Sequence, residues 1–173
     1  MKINFPILYI TTILVAGWGA VTDLRFGKIY NRLTMPSILV GIFLNLILNG
    51  INGLFNSLLG IILGMTCILF WILGMLKAGD VKLYMAIGAL GGWKFCGYTI
   101  ISSILVGGIV AFIVMIVRKD GFALLRRIWI YLLNLFYTRR FYPYQPEEKS
   151  AYFSFGGCIF AGVLISVWYL CFS

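Results

Sequence analysis

The sequence predicts an all-α, polytopic membrane protein with about six transmembrane helices and an interfacial amphipathic helix between the fifth and sixth. Three observations carry that prediction. Of 173 residues, 62% are hydrophobic and only 11% charged, where an ordinary soluble domain has roughly 25% charged residues. The apolar residues fall in long blocks, matching the roughly 20 residues that cross a bilayer as a helix. They do not alternate with period two, as the strands of a membrane barrel would. The same hydrophobicity excludes a disordered chain.

The first span covers about residues 5–22. The segment begins MKINFPILYITT, with one lysine and then apolar residues, like a signal peptide. It lacks a small-residue cleavage site and continues as a span, so it is assigned as helix 1. A polar loop, DLRFGKIYNR, follows, and helix 2 covers about 33–48. The uncharged stretch NGINGLFN reads as a turn, placing helix 3 at about 54–75. Only uncharged residues lie between Lys82 and Lys94, too few to span, so helix 4 includes its charged ends, about 79–95. Helix 5 is expected at 98–117 and helix 6 at 151–172. Between these two, the apolar run 128–137 is too short to cross and is bracketed by Arg126, Arg127, Arg139 and Arg140, as expected of a helix lying in the interface. Gly60 and Gly64, and again Gly88 and Gly92, form G-x-x-x-G pairs suited to helix packing in lipid. The whole chain, 1–173, reads as one membrane-embedded domain.

Basic residues set the orientation. Twelve of the 14 Lys and Arg lie in the loops after helices 1, 3 and 5, leaving Lys2 and Lys94 for the opposite side. The positive-inside rule places those loops in the cytoplasm and both termini outside. Cys96, next to Lys94, is then expected near the outer face. The net charge of +9 is explained by this asymmetry and by contact with anionic lipid headgroups, so no nucleic-acid partner is expected. The chain has no histidine, and its four cysteines form no C-x-x-C pair. Neither a metal site nor a cofactor is expected.

Of five acidic residues, Asp120, Glu147 and Glu148 lie in the long basic loop, where solvated charge is ordinary. Asp23 and Asp80 differ. Asp23 ends helix 1 and Asp80 opens helix 4, both on the cytoplasmic side. They stand far apart in sequence yet at one membrane depth. A carboxylate beside hydrocarbon is costly, so the two, on helices that can pack together, form a candidate dyad. The structural alternative is that Asp23 pairs with Arg25 or Lys28, while Asp80 caps helix 4 and pairs with Lys77 or Lys82. A small transporter using the two carboxylates is a further alternative, but it would be expected to show internal repeats, and none is evident.

Two motifs connect these residues to a known family. The stretch KAGDVKLYM contains Gly79, Asp80 and Lys82, and DLRFGKIYNRLTMP contains Asp23, Lys28 and Asn31. Together, in this order and each on the cytoplasmic side, they resemble the signature of type IV prepilin peptidases, membrane aspartyl proteases with a G-x-G-D element. The late FYPYQPEEKSAYFSFGG is similar to that family's entry to its last helix. Two positions differ from the pattern: Lys77 stands where G-x-G-D has its first glycine, and Tyr30 where Ile-Pro-Asn has proline. The resemblance implies an endopeptidase in the inner (plasma) membrane, with its active site facing the cytoplasm. It implies Asp23 and Asp80 as catalytic groups, with Gly79, Lys82, Lys28 and Asn31 supporting them. It also implies removal of the short basic leader from a prepilin or pilin-like precursor, in type IV pilus assembly or protein secretion. Long members of that family carry a C-x-x-C cytoplasmic domain, which is missing here, so the chain resembles the short form. An inactive assembly factor for a pilus or secretion system is the alternative within this resemblance.

Overall fold

The computed structural model describes residues 5–73, 75–117 and 155–172, and these residues are helical almost throughout. We number the helices α1 (Phe5–Phe26), α2 (Asn31–Thr66), α3 (Ile68–Ile72), α4 (Ala78–Val117) and α5 (Gly156–Phe172). The expected interfacial helix at 128–137, Glu147 and Glu148, and the first residues assigned to helix 6 lie outside the described residues.

Three stretches are long and apolar enough to cross a membrane: Ile7–Phe26, Asn31–Ile72 and Ala78–Val114. The latter two are much longer than one crossing needs, and each folds back on itself at a glycine. Gly50 has φ 62° and Gly92 has φ 80°, in the left-handed region that glycine enters without a Cβ clash. The reversals are visible in what the two arms touch. Asn45 and Ser57 would lie about 18 Å apart on a straight helix, yet both donate to the carbonyl of Ala89, at 2.9 and 2.8 Å. Tyr84 and Ser103 would be about 28 Å apart, yet their hydroxyls are hydrogen-bonded. Counting each arm, six helical segments lie among the described residues, with α3 extending the second arm of α2 past Cys67.

These boundaries refine the sequence reading. The expected eight-residue turn at 49–56 is a reversal centred on Gly50, with helix resuming at once. Gly92 is the second reversal and not a packing residue of the G-x-x-x-G type. Its backbone lies against the Asn56 side chain. The remaining glycines do pack as expected. Gly60 and Gly88 meet backbone to backbone, and Gly64 rests on the chain at Tyr84 and Met85.

The buried residues of α2 are Thr34, Ser37, Gly41, Asn45, Gly53, Ser57, Gly60 and Gly64, all small or polar. Its large apolar residues, among them Phe43, Ile47, Phe55 and Ile62, face outward. A soluble helix does the reverse. Lipid removes the drive to bury leucine and rewards close backbone contact and satisfied polar groups. Helix α4 sits at the centre. Leu83, Tyr84 and Ile87 from its first arm, Phe95 from its second, Ala16 from α1, and Ile159 and Val163 from α5 form the core. The ring of Tyr9 on α1 stacks on Phe95 at 5.1 Å.

Cys96 is fully buried and its thiol donates to the Tyr84 carbonyl. It is therefore shielded within the helices around it. Trp93 and Lys94 hold the exposed positions nearby.

Candidate active site

Asp23 lies near the C-terminal end of α1. That helix stops in an αL cap: Gly27 has φ 63°, and its N–H donates to the Asp23 carbonyl at 2.8 Å. A carboxylate at a helix C-terminus opposes the macrodipole, and Asp23 is buried, at 1% exposure, so it requires compensation. Two partners provide it. The Lys77 ammonium sits 3.2 Å from Oδ1, and the Gly156 N–H donates to Oδ2 at 2.9 Å. Gly156 is the first residue of α5, where backbone N–H groups and the dipole favour an anion. The approach is close: a Cβ at Gly156 would stand 2.8 Å from the Asp23 Cβ.

Asp80 is the third residue of α4. It is not the N-cap that sequence suggests. Its Oδ2 reaches back and accepts the Lys77 N–H at 2.9 Å, the acidic half of a capping box. That bond accounts for one oxygen. The other, Oδ1, is buried and has no hydrogen-bond partner among the described residues. Buried polar atoms are normally paired, so this oxygen is open to a further partner beyond the described residues.

Both aspartates line one cleft of ≈ 250 Å³. The supporting residues expected from the motifs, Gly79, Lys82, Lys28 and Asn31, line it too. Lys82 does not pair with Asp80; its ammonium donates to Asn31 Oδ1 at 2.9 Å, joining α4 to the start of α2. Gly79 lies under Ile29, whose Cβ would be 3.1 Å from any Cβ at position 79. Tyr30, standing where the motif has proline, holds φ −81° and ψ 136° at the start of α2, backbone angles close to those a proline imposes. Its carbonyl still receives the Leu33 N–H at 3.0 Å. Among the described residues no group of three or more His, Cys, Asp or Glu could hold a metal.

Sequence reasoning placed Lys77 beside Asp80 but missed its main partner. The ammonium pairs with Asp23 and also donates to the Gly27 carbonyl at 3.2 Å. Gly156 was missed as an Asp23 donor as well.

Long apolar helices that turn small and polar residues inward, with two buried carboxylates in a shared cleft, define a membrane protein with a built site. Comparison with known families agrees: the type IV leader peptidase family matches residues 8–112, and the chain belongs to it. The family is one of peptidases. Neither the curated proteins nor the solved structures that were compared gave a match.

Proposed function

We propose that the chain is an intramembrane aspartyl endopeptidase that removes the short basic leader of type IV prepilin-like precursors at the cytoplasmic face of the inner membrane. The observation that carries this is the cleft itself. Two buried carboxylates, brought from separate helices, line it together, and one Asp80 oxygen has no hydrogen-bond partner among the described residues.

In the proposed reaction Asp23 and Asp80 hold one water. One carboxylate accepts its proton while the other, protonated, donates to the scissile carbonyl oxygen. The two carboxyls thus divide the roles of base and acid, as in the aspartic-protease pattern. The tetrahedral diol then collapses. The C–N bond breaks, the amine leaves with a proton from the dyad, and the water oxygen stays in the leader's new carboxyl group. A helical substrate hides its carbonyls. A glycine before the cut, a poor helix former, eases local unwinding at the cleft.

The membrane arrangement belongs to the same proposal. Each of the six helical segments crosses once, and the cleft faces the cytoplasm, where the basic residues Arg25, Lys28, Arg32, Lys77 and Lys82 gather. The test is incubation of the purified chain in liposomes with a precursor bearing a short basic leader, a glycine and an apolar helix. Mass spectrometry should find leader release at the glycine. Intact precursor, bound but uncut, would favour the assembly-factor alternative.

A further inference from the structure

We propose that Lys77 is a positioning residue for the aspartate pair, an inference that rests on the peptidase reading above. Its side chain holds one aspartate and its backbone holds the other. The ammonium is 3.2 Å from Asp23 Oδ1, and the N–H is 2.9 Å from Asp80 Oδ2. The reach of one lysine therefore sets the separation of the two carboxylates. The same ammonium donates to the Gly27 carbonyl at 3.2 Å, so the C-terminal end of α1 is tied to the start of α4.

The two bonds differ in kind. The Asp80 contact is made by backbone and survives any substitution that keeps the helix start. The Asp23 contact needs a cation on a stem of lysine's length. A glycine here, as in the pattern the motif resembles, would keep the first bond and lose the second. The lysine side chain is 29% exposed and the Asp23 side chain 0%, so the ammonium sits at the edge of the cleft facing a desolvated anion. Charge-assisted bonds of this kind are strong, and losing the ammonium takes away this cation from a buried anion to which the Gly156 N–H still donates. Lys82 does not replace it, being engaged with Asn31.

The experiment compares wild type with Lys77→Met and Lys77→Arg in liposomes, using the leader–glycine–apolar-helix precursor. Lys77→Met should lower kcat about tenfold or more while KM changes little, because the precursor's apolar contacts are untouched. Lys77→Arg should recover most of the loss by restoring a cation. A second readout does not depend on cleavage: modification of the carboxyls by a hydrophobic carbodiimide, followed by peptide mass spectrometry. Lys77→Met should raise modification of Asp23 several-fold and leave Asp80, held by backbone, close to wild type. Wild-type or faster turnover in Lys77→Met, or equal loss in Lys77→Met and Lys77→Arg, would overturn the proposal. So would equal modification of Asp23 in wild type and Lys77→Met. If the wild type releases no leader, the peptidase reading fails, and the carbodiimide comparison still decides whether Lys77 holds Asp23.

Discussion

Asp23 is held where a carboxylate would not settle unaided, and besides Lys77 one group that holds it is a glycine 133 positions away. The Gly156 N–H reaches Oδ2 only because no side chain intervenes. A methyl group at Gly156 would stand 2.8 Å from the Asp23 Cβ and 3.0 Å from Oδ2, so the carboxylate must shift. Catalysis by positioned groups is sensitive to such shifts, with a 1 Å displacement costing about a hundredfold. Gly156→Ala should therefore lower leader release about tenfold or more while precursor binding persists. Gly157→Ala is the control: its Cβ would meet nothing within 4 Å, and turnover should stay at wild type. At this scale the motif residues were legible in the sequence because the chemistry is local to each motif: a lone Asp beside hydrocarbon requires an explanation. Lys77 and Gly156 were not legible as Asp23 partners. Their contacts span 54 and 133 positions, and spacing along a helix says nothing about which loop end meets which.

The elements are shaped by the need to satisfy backbone groups without water. The first arm of α4 ends at Gly92, and a helix end leaves carbonyls to be satisfied. Asn45 donates to the carbonyls of Ala89 and Leu90, at 2.9 and 3.0 Å, and Ser57 to that of Ala89. Both arms of α2 thus serve the end of one arm of α4. Asn45→Leu removes two of these bonds and should destabilise the fold by about 1–2 kcal/mol, measured by unfolding in mixed micelles with tryptophan fluorescence. Asn45→Gln should recover part of the loss. Blocks of apolar residues made the helices legible, but the turns were not. Asn49, Gly50, Asn52, Gly53 and Asn56 all carry turn character, and only the positive φ at Gly50 reveals where the chain reverses. Gly92 misled for a related reason. It completes a G-x-x-x-G with Gly88, a pattern that serves packing, whereas here the second glycine supplies a left-handed turn.

For the molecule as a whole, the proposed topology puts the cleft and the 92–94 turn on opposite sides of the membrane. Cys67, Cys96 and Cys158 are buried and Cys171 is exposed, so native thiols make poor reporters of sidedness. In a Cys171→Ser background, a cysteine at exposed Lys94 should react with an impermeant maleimide in intact cells. A cysteine at exposed Arg25 should react only after permeabilisation. The reverse pattern would invert the topology and place the site outside. The apolar helical blocks were legible because hydrocarbon thickness fixes how much chain one crossing uses, and among the described residues three stretches are long and apolar enough to cross. Even the weak fourth segment was anticipated, and its first arm, from Ala78 to Gly92, is short because the second reversal follows so soon.

The central claim is that Asp23 and Asp80 act on one water. Asp→Asn keeps size and hydrogen bonding but removes the proton chemistry. The most direct measurement is the rate of leader release by Asp23→Asn, Asp80→Asn and the double variant, each reconstituted with precursor and checked for folding. If the two carboxyls work as a unit, each single variant should lose cleavage altogether, and the double variant should be no worse than either, since groups acting together are non-additive. A folded Asp80→Asn protein that releases the leader at near-normal rate would contradict the claim.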